Sequence, residues 1–159
     1  MNGARRDVSG PLAVGPAAAH EHVSDGTPSA SVHHVRVGYV DTDRAGVVHH
    51  TVYLVYIEAA RIAFFRERGL DYRAFEADTG LGLPVVGVQL RYRAPARFDD
   101  ELTVSTRVVS VSRAKVAFES VIRRGDVLLV EGVVEVACAH LREERGCSIP
   151  DVIRQLCAS

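Results

Sequence analysis

The residues best suited to chemistry lie in one short segment that ends where a long apolar run begins. Asp41 and Asp43 follow a β-like run. Gly46 permits a tight turn, and His49 and His50 stand just before the apolar run. A carboxylate can act as a base or as a nucleophile, and the free N–H groups at a helix start can stabilise a developing oxyanion. The segment therefore suits attack on a carbonyl carbon.

The elements around this segment follow from the spacing of apolar residues. Residues 31–40 alternate polar and apolar, which predicts a strand. Residues 51–68 are apolar on almost every side, which predicts a long helix that is buried all round and ends before Gly69. Glu58 and Arg61 interrupt it three positions apart, so the two side chains are expected to pair with each other.

The second half of the chain is predicted to be mostly sheet. Residues 71–79 suit a short helix or turn closed by Gly80, and a short C-terminal helix has Pro150 near its first turn. After Pro84 the apolar period changes to two, which predicts four consecutive antiparallel strands, near 85–94, 101–111, 114–123 and 127–140. One long apolar helix wrapped by a curved antiparallel sheet is an α+β architecture. Because such a sheet leaves an edge and covers the helix incompletely, a partner subunit is expected.

Composition narrows the class of protein. Residues 1–30 are rich in Gly, Ala, Pro and Ser without a period, which predicts a disordered tail before one domain over 31–159. Nineteen basic and twenty acidic residues give a net charge of −1, so we expect no nucleic-acid partner. No apolar run approaches the roughly 18–20 residues of a membrane span, so we expect no membrane partner. Three cysteines without a framework spacing indicate reduced thiols and a cytoplasmic protein.

Several groups of residues together resemble a known family. The most specific group is Tyr39-x-Asp41-Thr42-Asp43-x-x-Gly46-x-Val48-x-His50-x-x-Tyr53-Leu54. The others are Glu58-Ala59-x-Arg61, Pro84-Val85-Val86, Tyr92-x-x-Pro95-x-x-x-Asp99-Asp100-x-Leu102 and Glu131-Gly132. With these residues the chain resembles the hotdog-fold acyl-CoA thioesterases, in particular the branch related to 4-hydroxybenzoyl-CoA thioesterase. The resemblance spans roughly residues 32–143, most of the predicted domain.

The resemblance implies a hotdog fold, a homodimer or homotetramer, and hydrolysis of an acyl thioester without a metal or other cofactor. It implies that Asp43 is the catalytic carboxylate and that the backbone N–H of His50 polarises the thioester carbonyl, with its imidazole taking part in some relatives. Asp41 is then assigned a structural role, because only one of two residues spaced this way can reach the substrate. The residues expected to contact the substrate are Gly46, Val47, Val48, His49 and Tyr53.

Three positions depart from the family pattern. Val52 stands where the family commonly has Asn, His49 where it commonly has Tyr or Trp, and Ala63 where it often has Glu. Since the apolar helix carries no obvious charge toward the acyl group, we expect a medium aliphatic or aromatic acyl-CoA. An acyl-carrier-protein thioesterase and a non-catalytic module that binds acyl thioesters remain alternatives. Asp43 as a general base and Asp43 as a nucleophile both fit the sequence.

Overall fold

The computed structural model describes residues 30–158 of the chain. In chain order the elements are β1 (Ser31–Arg36), a 3-10 turn (Tyr39–Asp41), α1 (Val52–Glu67), α2 (Tyr72–Thr79), β2 (Leu81–Gly82), β3 (Val85–Tyr92), β4 (Glu101–Val111), β5 (Lys115–Arg124), β6 (Val127–Ala137), β7 (Ala139–His140), β8 (Arg145–Gly146) and α3 (Asp151–Ala158). Apart from Ala30, the predicted N-terminal tail lies outside the described residues.

The main sheet has five antiparallel strands in the order β1-β4-β5-β6-β3. The prediction of consecutive neighbours is right for β4, β5 and β6, but it is wrong for β3, which pairs with β6 at the opposite edge from β1. The alternation of polar and apolar residues determines on which face of the sheet a side chain lies, but it does not specify which strand is the neighbour. The predicted strand 127–140 is also interrupted at Cys138, because β7 joins β2 and β8 in a separate small sheet.

Helix α1 packs on β1 and β4, and its aromatic residues form the centre of the core. Phe64 and Phe65 are almost completely buried, and each meets the ring of Phe118 edge-on, with centroids 5.6 and 5.9 Å apart. Edge-on contacts are favoured by the ring quadrupoles and add to the gain from burying apolar area. The main sheet therefore packs against one long helix, as the predicted α+β architecture requires.

The prediction that α1 is buried on every side is wrong for the single chain. Val55 is 62% exposed, and Glu58 and Ala59 are also exposed, because the sheet covers only one side of the helix. The expected pairing of Glu58 with Arg61 is wrong as well. Arg61 turns into the protein, where its Nε and Nη1 atoms have no hydrogen-bond partner among the described residues. Burial lowers the pKa of this guanidinium.

The short helix α2 forms where the sequence places it. Asp71 caps its start by accepting a hydrogen bond from the Ala74 N–H, and Gly80 ends it in the left-handed region. None of the helices among residues 30–158 is long and apolar enough to cross a membrane.

Candidate active site

Asp41 joins the 3-10 turn to helix α1. Its Oδ2 accepts hydrogen bonds from the Gly38 N–H and from the Tyr56 hydroxyl, both at 2.8 Å. Its backbone carbonyl accepts a 2.9 Å bond from the His49 N–H. Burial, together with the bond to this carboxylate, raises the pKa of Tyr56. Through these contacts Asp41 links the 3-10 turn to α1, and its assignment as a structural residue without a part in the chemistry stays a prediction.

Asp43 heads a tight turn. Its N–H donates to the carbonyl of Val47 and its own carbonyl accepts from the Gly46 N–H, both at 2.9 Å. Its Oδ1 accepts a 2.8 Å bond from the Ala45 N–H, the usual contact of a turn aspartate. Oδ2 accepts no hydrogen bond from a described residue, and the residue is exposed. One carboxylate oxygen thus holds the turn and the other is available to a ligand or water.

Three contacts hold the turn that carries Asp43. Thr42 and Val48 form an antiparallel bridge, and the Val48 N–H donates to the carbonyl of Ala96 at 2.9 Å. The side chain of Arg97 reaches the carbonyl of Gly46 at 3.4 Å. The connection between β3 and β4 therefore supports the turn that carries Asp43.

His50 lies in the turn that leads into α1, two residues before the first helical position. The Val52 N–H donates to the carbonyl of His49, so the helical hydrogen-bond pattern begins there. The His50 N–H donates to no described residue, whereas its carbonyl accepts a 3.0 Å bond from the Tyr92 hydroxyl. This leaves one unsatisfied donor beside the positive end of a sixteen-residue helix, where negative charge is favoured.

The two imidazoles are held differently. The His49 and His50 rings lie 4.2 Å apart between centroids. Nδ1 of His49 is 2.8 Å from the hydroxyl oxygen of Thr51, which fixes that ring at the helix entrance. The His50 ring makes no hydrogen bond within the described part of the chain, so it can turn toward a ligand.

The five residues expected to contact the substrate differ in exposure. Gly46 is exposed, Val47 and His49 are half-buried, and Val48 and Tyr53 belong to the core. The Tyr53 hydroxyl accepts a 2.9 Å bond from the Ala96 N–H, and burial raises its pKa. Contact between these residues and a substrate stays a prediction.

Sequence reasoning missed what Tyr92 and Arg97 do here. Tyr92 lies in the family pattern, yet no linear spacing indicates that its hydroxyl meets His50.

Two surface clefts, of about 360 and 630 Å³, contain none of the predicted site residues. Among residues 30–158, no group of three His, Cys, Asp or Glu side chains could hold a metal ion.

Known proteins share this architecture and sequence. The family model of the thioesterase-like superfamily matches residues 35–156. The chain belongs to this superfamily. It is 32% identical over 120 residues to the acyl-CoA thioesterase YbgC of Haemophilus influenzae, a match that covers 76% of this chain and 88% of that protein.

Solved structures agree with the family. A hypothetical protein from Thermus thermophilus, TT1821, is 43% identical, with a TM-score of 0.74 over 79% of this chain and 96% of that one. A probable thioesterase from Bartonella henselae is 29% identical, with a TM-score of 0.73 over 77% of this chain and all of the other. The predicted α+β hotdog fold and the predicted family are confirmed, and the protein is a thioester hydrolase.

Proposed function

We propose that this protein hydrolyses acyl-CoA to the free acid and CoA, with Asp43 as the reacting carboxylate and the His50 N–H as oxyanion donor. The observation that carries the proposal is the pair of unused groups in one short segment. These are the Asp43 Oδ2, which accepts nothing from a described residue, and the His50 N–H, which donates to none. The YbgC relative is named an acyl-CoA thioesterase, which supports acyl-CoA as the substrate class.

Two routes fit these groups. In the first, Asp43 takes a proton from water as the water oxygen attacks the thioester carbon. The tetrahedral oxyanion is held at the His50 N–H, and the thiolate of CoA leaves and receives the proton. In the second, Asp43 Oδ2 attacks the carbon itself, expels the thiolate and forms a mixed anhydride that water then hydrolyses. The helix start stabilises the same charge in both routes.

The acyl group is proposed to be a medium aliphatic or aromatic one. Val52 and Ile62 are half-buried on α1, and Tyr56 is buried with its hydroxyl held by Asp41. Such a lining favours apolar area over charge. A catalytic efficiency on acetyl-CoA above that on every longer or aromatic thioester would contradict this choice.

A second copy of the chain is proposed along the edge strand β3. Val85, Val86 and Val88 are 45%, 52% and 47% exposed there, and one side of the strand has no neighbour among the described strands. Long apolar edge strands are the usual place where two sheets pair. A homodimer, or a homotetramer built from it, would cover this strand.

The deciding experiment is a panel of acyl-CoAs assayed by thiol release, with matched acyl-pantetheine and acyl-carrier-protein thioesters beside it. We expect turnover on acyl-CoA that depends on Asp43. Preferential turnover of the carrier-protein thioester would show that the substrate is an acyl-carrier protein instead of acyl-CoA. Saturable binding of acyl-CoA without thiol release would show a binding module instead of an enzyme.

A further inference from the structure

Two cysteines face each other across the β7–β8 hairpin, away from the segment that carries Asp43. Cys138 directly precedes β7 and Cys147 directly follows β8. Their Sγ atoms are 2.8 Å apart, and the Cys147 N–H donates a 2.9 Å bond to the Cys138 carbonyl. Because Ala139 pairs with Gly146, the cysteines are the next opposed positions in the same antiparallel register.

We propose that Cys138 and Cys147 form a reversible disulfide, made by exchange with a low-molecular-weight disulfide such as oxidised glutathione. Opposed residues of an antiparallel pair have their Cα atoms about 4.5–5.5 Å apart, which lies within the range that a disulfide bridges. The backbone register and the direction of both side chains therefore already suit the bond. Both residues are free thiols in this structure.

The exchange proceeds in two steps that balance. The sulfur of Cys147, which is half-buried and within reach of solvent, attacks the oxidant disulfide and releases one small thiolate. The sulfur of Cys138 then attacks the mixed disulfide at Cys147 and releases the second thiolate. The two protein protons pass to the released thiolates, and the two electrons pass from the protein to the oxidant.

The environments of the two thiols give this order. Cys138 is 1% exposed, and burial, together with the contact to Cys147, raises its pKa to about 12. It is therefore a poor first nucleophile and a well-placed second one. Cys157 is also buried, with a pKa raised to about 12, and it shares no sulfur contact with either cysteine among the described residues. It serves as an internal control.

A metal site at this pair is not supported. A structural zinc ion takes four ligands, and no group of three suitable side chains occurs in the described part of the chain. The disulfide would instead tie the end of β6 to the start of the C-terminal segment. That segment continues through Ile149, whose N–H binds the Arg113 carbonyl, into α3. We therefore expect oxidation to slow hydrogen exchange in the hairpin.

Peptide mapping tests the proposal directly, because trypsin separates the cysteines. Cleavage after arginine puts Cys138 in 125–142, Cys147 in 146–154 and the third cysteine in 155–159. The full-length protein is incubated with mixtures of reduced and oxidised glutathione, alkylated, unfolded and digested. We expect peptide 125–142 joined to peptide 146–154, with a mass two hydrogen atoms below the sum of the two reduced peptides. Peptide 155–159 should be alkylated. Dithiothreitol should release the two joined peptides.

Matched variants and a reference state make the result decisive. Cys147→Ser should abolish the joined peptide, and Cys157→Ser should leave it unchanged. The reference state is the same cysteine pair in urea. The folded pair should be half oxidised at a concentration of oxidised glutathione roughly tenfold or more lower than the unfolded pair needs, because folding raises the effective concentration of one thiol beside the other. Three alkylated cysteines throughout, a joined peptide that contains 155–159, or a mixed disulfide that stops at Cys147 would each overturn the proposal.

Discussion

The hydroxyl of Tyr92 donates a 3.0 Å hydrogen bond to the carbonyl oxygen of His50, 42 positions earlier in the chain. Tyr92 is the last residue of edge strand β3, and His50 is in the turn before α1. The bond orients the turn whose N–H is the proposed oxyanion donor. The edge of the sheet thus helps to position a group that belongs to the helix entrance.

Tyr92→Phe removes only this hydroxyl. We expect turnover to fall about three- to tenfold with a smaller change in KM, because the loss of one neutral hydrogen bond is worth about 0.5–1.5 kcal/mol. Steady-state kinetics on the preferred acyl-CoA measure it. Tyr39→Phe is the control, since Tyr39 is 78% exposed and its hydroxyl has no partner among the described residues. Equal effects of the two variants would show that the bond does not serve the site.

Asp43→Asn keeps the size of the side chain and an oxygen for the Ala45 N–H but removes the negative charge. Turnover should fall by about 10²-fold or more, the scale of a lost general base. The free energy of unfolding should change by less than about 1.5 kcal/mol, as for an ordinary cap or turn interaction. Kinetics and denaturant unfolding measure the two quantities.

Asp41→Asn is the matched control for that substitution. It disturbs the bonds from Gly38 and Tyr56, so we expect a cost of about 1–3 kcal/mol in stability and a smaller loss of turnover in the folded fraction. The two assignments would be reversed if Asp43→Asn kept at least a third of the parent protein's turnover while Asp41→Asn was folded but inactive. If both variants match the parent protein, the carboxylate mechanism fails.

Gly46→Ala tests the shape of the turn. Gly46 has φ +73°, a region that costs an alanine about 1 kcal/mol, and a Cβ there would meet nothing within 4 Å. Gly125, in the β5–β6 turn, has φ +55° and equally open space. Both alanine variants should lose similar stability in thermal unfolding, while only Gly46→Ala should lose turnover, by about tenfold, through a misplaced Asp43. Equal turnover in the two variants would contradict this.

Val88→Lys tests the proposed second copy. A charge on β3 should oppose pairing of two such strands, so we expect light scattering at micromolar concentration to show monomers. Val127→Lys is a suitable control, because Val127 is similarly exposed but begins β6 beside a turn. An unchanged assembly in Val88→Lys, or a parent protein that is a stable and active monomer, would contradict the proposal.

Deletion of residues 1–28 tests the predicted domain boundary. Their composition predicts no packed structure, so the thermal midpoint and turnover should stay nearly unchanged. A large loss of either would show that the segment packs on the domain or covers the site.

The sequence predicts the elements of this fold well and their neighbours less well. The long apolar run that ends before Gly69 locates α1 almost to the residue, and the period of two locates β4, because that period records which face of a strand is buried. The order of the strands along the chain suggests β4 as the neighbour of β3, but β3 pairs with β6, because pairing partners depend on the path of the connection between β3 and β4. The apolar run also overstates the burial of α1, since Val55 faces outward from the single chain.

The candidate site shows the same division. The types and spacing of Asp43, Gly46 and His50 are visible in the sequence, and so is the structural assignment of Asp41. The hydrogen bonds by which Tyr92 and Ala96 support the site are not visible there. Each joins residues more than 40 positions apart and involves a backbone group. No local pattern records such contacts.

Ala96 has a consequence for how this chain can vary in length. It is completely buried, its N–H donates to the Tyr53 hydroxyl, and its carbonyl accepts from the Val48 N–H. Surface connections between strands ordinarily tolerate insertions and deletions. Here one extra residue on either side of Ala96 would shift a contact of α1, of the Asp43 turn, or of both. The connection between β3 and β4 is therefore expected to keep its length through evolutionary drift.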